Sequence, residues 1–257
     1  GGYVGVELAA NLARACESAS VSLIHRAGSL LPRAAEFSRN EAQRQLADAG
    51  VTVILDTAVS QVSEGALTLM PQRASSSSMA PPGGEGTELE ADLIVWTAGT
   101  QPSAVVAALG LPTDSSGRIA ADPMLRVSGR PSLYALGDAA VVQGAHGGAV
   151  PSTAQAAMQQ ADYAAWNIRA ALRAQPALAF RYTALGETLS FGKDAASVAA
   201  LGHLIKLNGR LASAARRAVY AARMPTPQQA VKVGLSWAVD AAFGAVRKAV
   251  TPPRSNP

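Results

Sequence analysis

The amino-acid sequence predicts an α/β fold, and three observations predict it. The chain opens on a small-residue turn, a helical stretch and a strand in that order. Two later apolar runs, "LIVWTAG" and "LYALGDAA", each end on a glycine where a strand hands over to a loop or helix, and strand-like and helix-like stretches alternate throughout. With 257 residues, 49% of them hydrophobic, the chain can bury one large core or two modest ones.

In chain order, "GGYVGVELAANLARACESASVSLIHR" reads as a glycine turn, a helical pattern carried by Val4, Leu8, Leu12 and the alanines, and a strand of buried type in "VSLIH". Gly2 and Gly5 fit the second and third glycines of a G-x-G-x-x-G turn. The first glycine and the strand before it would precede residue 1, so the sequence reads as an amino-terminally truncated fragment. "SRNEAQRQLADAG" is a helix with Ser38 as N-cap, Glu41 at capping-box spacing and Gly50 as stop. "VTVILDTAVSQVSEGALTLM" alternates like strands around a turn near Gly65, and residues 71–87 form a low-complexity loop. "LEADLIVWTAGTQPS" returns as a buried strand ending at Ala98-Gly99. Strands follow at 118–120 and 132–136, then a long helix over 152–174 with Ser152 or Thr153 at its amino end. A strand pair over 179–192 and two amphipathic helices separated by "MPTP" complete the chain.

Asp138 follows the apolar run "SLYALG". A carboxylate there faces a ligand crevice or caps the next helix, because an unpaired buried one is costly. The single cysteine, Cys16, excludes an internal disulfide and a dithiol redox centre, so electron chemistry must come from a cofactor. No run reaches the ~18 apolar residues of a spanning helix, so any contact with a membrane is at its surface. From Leu201 onward nine lysines and arginines face one acid, a net of +8 that leaves −4 to the rest of a chain totalling +4. A basic tail on a mildly acidic body points to an anionic partner, a lipid surface or nucleic acid. His25, His146 and His203 show no metal spacing, and no metal site is expected.

The stretches "GGYVGVELA", "LIVWTAGTQPS", "LYALGDAA" and "VPSTAQAAMQQADYAAWN" occur in an order that resembles the two-dinucleotide-fold (Rossmann-like) flavoproteins, and within them the type II NAD(P)H:quinone oxidoreductases. The tail, "LGETLSFGKDAAS" through "RMPTPQQAVKVGLSWAVD", is most similar to the plastid C1-type enzymes and their cyanobacterial relatives. The resemblance implies an NAD(P)H-binding domain over 1–110, lacking its first strand, a return segment of an FAD-binding domain over 111–192, and a helical tail over 193–257. It further implies FAD and NAD(P)H as cofactors and a membrane quinone as electron acceptor. An anionic lipid surface is met through residues 201–250, a homodimer is the alternative cover for the same helices, and nucleic acid is not a partner. The implied place is a chloroplast (thylakoid or plastoglobule) or mitochondrial membrane surface. A soluble ferredoxin-reductase-like or monodehydroascorbate-reductase-like flavoprotein and a non-enzymatic dinucleotide-binding fragment are the competing readings.

By the same resemblance, Asp138 accepts hydrogen bonds from the ribitol hydroxyls of FAD while the Gly137 backbone approaches the pyrophosphate, and Ala98-Gly99 belongs to the cofactor-binding set. Gly2 and Gly5 let a helix start approach NAD(P)H. His25 and Arg26 stand where an acid would select NADH, so a ribose 2′-phosphate is accommodated. Glu7, on the first turn of its helix, faces the flavin and quinone region for proton delivery or else complements the helix dipole. Thr153, Ala154 and Gln155 border the flavin edge, Gln155 reaches the quinone, and Lys193 stands near the same pocket.

Overall fold

The computed structural model describes residues 1–16, 18–72, 86–144, 148–202, 204–224 and 226–250, with side chains to residue 239. Most of the loop expected at 71–87, together with His146 and His203, lies outside the described residues. In chain order the elements are α1 (Tyr3–Ala15), β1 (Ser22–Ile24), α2 (Glu36–Asp48), β2 (Thr52–Ile54), β3 (Thr57–Ser63), β4 (Ala66–Pro71) and β5 (Thr87–Glu90). They continue with α3 (Ala104–Ala108), β6 (Ile119–Ala121), β7 (Arg126–Val127), β8 (Arg130–Tyr134), a 3-10 turn (Gly137–Ala139), β9 (Ala140–Val142) and α4 (Ala154–Leu172). The last are β10 (Gly186–Gly192), β11 (Ala195–Ala200), β12 (Ile205–Asn208), α5 (Gly209–Ala222) and α6 (Pro227–Val250).

These elements form two compact units, one of Gly1–Val95 together with the chain from Gly186 on, the other of Trp96–Leu185. In the first, β1 and β2 pair in parallel with Leu23 opposite Val53. Val6, Ala9 and Ala10 of α1, Leu46 of α2, and Leu189 and Phe191 of β10 share its core. A three-stranded antiparallel sheet β3-β4-β5 and a second one, β10-β11-β12, belong to the same unit. In the second unit the sheet order is β8-β7-β6-β9, with β6 and β9 parallel, and Phe180 and the Ala156 and Ala164 face of α4 close its core.

Several sequence-based expectations are corrected. The compact units divide the chain at 95/96 and 185/186, where the sequence reading divides it at 110/111 and 192/193. Val106 of α3 packs with Ile119 and Val142, β10 packs on α1, and Ala212 of α5 is buried with Ala196 and Val198 of β11, so the tail is not separate. The run 91–97 is not a strand: Leu93 is 75% and Trp96 62% exposed, and an apolar run becomes a strand only where a neighbour pairs its backbone. The core face of α1 is Val6, Ala9 and Ala10, while Val4 is exposed, because small residues let the helix approach the sheet closely. Helix α2 begins before Ser38, which is buried inside it; the N–H of Ala35 at its start donates to the Glu187 carboxylate, replacing the expected serine cap. In place of a strand pair inside 179–192, β10 alone falls there and pairs with β11, which pairs in turn with β12.

Candidate functional site

In the second unit β8 leads through Ala135 into the 3-10 turn that carries Asp138. The strand is not the buried one expected, since Leu133 is 44% exposed, and Asp138 itself is exposed, so its charge is met by solvent and no desolvation must be offset. The helix-cap role weighed for Asp138 is filled at α4 by Thr153, whose Oγ1 accepts the N–H of Ala156 at 3.2 Å. Gly137 has φ +67°, a left-handed conformation that glycine adopts without the Cβ penalty. Its N–H donates to Oε1 of Gln160 at 2.7 Å, so that N–H is not a donor for a pyrophosphate. Between this turn and the start of α4 lies a shallow groove lined by Gly137, Pro151, Ser152, Thr153, Ala156 and Gln160. Arg118 donates to Ser152 Oγ at 2.6 Å and pairs with Asp114 at 3.2 Å, tying the loop before β6 to the segment that opens α4.

Gln155 is not a bare amide at the helix start. Its Oε1 accepts from the Tyr182 hydroxyl at 3.0 Å and the Leu185 N–H at 2.9 Å. One turn on, Gln159 meets the Thr183 backbone twice, donating to its carbonyl at 2.8 Å and accepting its N–H at 3.0 Å. Two successive glutamines thus grip segment 182–185. Ala154 is the first residue of α4, and Ala98 and Gly99 lie in an exposed loop where the Trp96 indole N–H donates to the Ala98 carbonyl at 2.9 Å.

In the first unit Gly2 is the N-cap of α1, and a Cβ built on it would meet nothing within 4 Å. Gly5 is buried in the helix. Glu7 stands on the second turn, not the first, and its Oε1 accepts the Ser190 N–H at 2.6 Å, fastening α1 to β10. That contact replaces the dipole role weighed for it. His25 and Arg26 directly follow β1. His25 is half-buried, and burial first, then the positive charges of the Gly1 amino group and Arg26, hold its pKa below the ordinary histidine value. Lys193 occupies the β10–β11 turn, where its carbonyl accepts from Ser213 Oγ at 3.0 Å and from Arg217 at 2.9 Å. Among the described residues no group of three His, Cys, Asp or Glu could hold a metal.

Sequence reasoning passed over Gln159, Gln160 and Glu187. The first two were visible as adjacent glutamines in "TAQAAMQQ", about one turn beyond Gln155. Glu187 carried no local signal: besides the Ala35 N–H it hydrogen-bonds the Tyr3 phenol, whose pKa is pushed up to about 12 by burial first and then by the adjacent carboxylate.

The demethylphylloquinone reductase NdbB of a Synechocystis species is 40% identical over 238 residues, which cover 92% of this chain and 56% of that protein. The alternative NAD(P)H-ubiquinone oxidoreductase C1, chloroplastic/mitochondrial, of Arabidopsis thaliana is 33% identical over 260 residues, 95% of this chain and 49% of that protein. The chain therefore spans about half the length of the curated relatives it matches. Among solved structures, NDH2 from Plasmodium falciparum in complex with NADH shares the fold with a TM-score of 0.75 at 15% identity, over 92% of this chain and 63% of that one. The pyridine nucleotide-disulphide oxidoreductase model matches residues 1–161, and with the Rossmann-like α/β units described above this chain belongs to that family.

Proposed function

We propose that this chain is part of an FAD-dependent enzyme that passes electrons from NAD(P)H to a membrane quinone of the plastoquinone, phylloquinone or ubiquinone type, without pumping protons. The observation that carries the reading is the exposed Asp138 carboxylate beside a groove of small residues at the start of α4. The reading is supported by the chain's similarity to relatives named as quinone reductases. Asp138 fits a flavin's ribityl chain: a carboxylate accepts only, and two hydroxyl donors satisfy it. Bound FAD supplies the two-electron chemistry; the protein supplies position and electrostatics. The purified complete polypeptide is expected to show visible flavin absorbance and to couple NAD(P)H oxidation to quinone reduction. A preparation that folds and takes up no flavin overturns the reading.

In this reading Gly2 and Gly5 admit the dinucleotide to the start of α1, and Ala98, Gly99, Thr153 and Ala154 border the flavin. Burial lowers the His25 pKa, and the permanent cation of the pair that meets a 2′-phosphate is Arg26. Gln155 borders the quinone, and Lys193 stands in a turn of the other unit that is braced from α5 by Ser213 and Arg217. Glu7, anchored to β10 through Ser190, delivers protons. Residues 201–250 lie on an anionic membrane surface of the chloroplast (thylakoid or plastoglobule) or mitochondrion. Leu211, Val219 and Tyr220 of α5 and Val231, Leu235 and Val239 of α6 are exposed, and no helix among the described residues is long and apolar enough to cross a membrane.

A further inference from the structure

Helix α4 carries two buried side-chain amides on one face, Gln160 at 3% exposure and Asn167 fully buried. Each must be hydrogen-bonded to offset its burial. Asn167 ties the helix to neighbouring segments of its own core, accepting from Leu178 N–H and donating to the Met124 and Leu178 carbonyls. Gln160 reaches the other way, to the N–H of Gly137, across 23 residues of sequence. That N–H belongs to the peptide joining Leu136 to Gly137, and the two sides of a planar trans peptide point oppositely, so fixing the N–H fixes the Leu136 carbonyl as well. The next residue is Asp138. Gly137 lies in the left-handed region, and a glycine there has more conformations open to it than any other residue, so without a partner the turn is the loosest point of the site.

We infer that Gln160 is a positioning residue for Asp138: by accepting the Gly137 N–H it locks the 3-10 turn on α4 and holds the carboxylate where it meets a flavin ribityl chain. The inference rests on the flavin reading above and adds to it the residue that presets the turn. In this role Gln160 acts through the turn, which it holds against the face of α4 that also carries Ala156.

The test compares Gln160→Leu, which removes the acceptor at similar volume, with Gln160→Glu, which keeps an oxygen for the Gly137 N–H, and with Asp138→Asn, all in the complete polypeptide. Flavin affinity is read from fluorescence titration of the flavin-depleted protein, the turn from hydrogen exchange at the Gly137 amide, and folding from the Tm of the depleted form. Gln160→Leu is expected to weaken flavin about tenfold and to speed exchange at Gly137, with Gln160→Glu restoring most of both. If Asp138→Asn weakens flavin while Gln160→Leu binds it as the wild type does, Gln160 has no positioning role and the flavin reading stands. If Asp138→Asn leaves flavin affinity unchanged, the flavin role of the turn fails and this inference fails with it. Loss of flavin by Gln160→Glu equal to that of Gln160→Leu overturns the inference by assigning the effect to packing. Should Gln160→Leu not fold, Gln160→Met, unbranched and likewise without an amide acceptor, carries the same expectation.

Discussion

At the scale of single residues, Arg26 is the second residue beyond β1 and has no acid next to it in sequence, so nicotinamide selectivity is tested at this one charge. NADPH is expected to be used at least as well as NADH. A charge-assisted hydrogen bond contributes about 1.5–3 kcal/mol, so Arg26→Glu should lower kcat/KM for NADPH tenfold or more while sparing NADH. Steady-state kinetics with both nucleotides decides this, and a wild type that strongly prefers NADH refutes it. Gln155→Leu removes the acceptor for the Tyr182 hydroxyl and the Leu185 N–H, and should slow quinone turnover far more than reduction of the flavin by NAD(P)H. Stopped-flow measurement of the two half-reactions checks it; equal slowing would make Gln155 a clamp on segment 182–185 and nothing more. Thr153 as a cap and the placement of His25 and Arg26 after a strand were legible in the sequence, because each depends on neighbours a few residues away. The Glu7 to Ser190 bond spans 183 residues and that of Gly137 to Gln160 spans 23, so no local spacing announces either.

At the scale of elements, α4 is held by side-chain amides as much as by apolar packing. Asn167→Ala strips three hydrogen bonds from a fully buried site and orphans the Leu178 N–H and the Met124 and Leu178 carbonyls. It is expected to destabilise the protein by about 2–3 kcal/mol, read as a lower denaturant midpoint or Tm; a change below about 0.5 kcal/mol would show that water replaces the amide. The helices were legible because their apolar periodicity is long enough to average over errors: α1, α4, α5 and α6 fall within a few residues of their expected spans. Strands were legible where a hairpin partner lies close by, as for β3 and β4 around Gly65. The run 91–97 misled because its apolar character specifies burial, while strand formation needs a paired neighbour that sequence alone does not supply. Helix α2 misled because its first turn is satisfied by Glu187, more than 150 residues away, so Ser38 was free to enter the helix.

At the scale of the whole molecule, the asymmetry of charge makes the tail testable. Each basic residue near an anionic surface contributes about 1 kcal/mol before salt screening, so a net +8 supplies several kcal/mol beyond apolar burial. The complete protein is expected to float with anionic liposomes at low salt, and to lose this without residues 201–257. Since Ala212 and Ser213 of α5 are buried, Leu235→Ser with Val239→Ser is the gentler variant, leaving α5 and the charge of the tail in place and removing only apolar contacts of α6. An intact protein that stays unbound assigns the exposed faces to a subunit interface instead, which sedimentation would then reveal as a dimer. The asymmetry of charge was legible from composition, and the two amphipathic helices expected around "MPTP" are α5 and α6.

The first unit is made from both ends of the chain while the second is one uninterrupted run, and this orders events on the ribosome. Residues 96–185 carry the core described for their unit in one run, so those partners are to hand once they have emerged. Val6, Ala9 and Leu46, synthesised earlier, wait for Leu189 and Phe191 to complete their core. At roughly 5–20 residues per second the interval between Glu7 and Ser190 is on the order of ten seconds or more, during which a nascent apolar face stands open to chaperones and to other nascent chains.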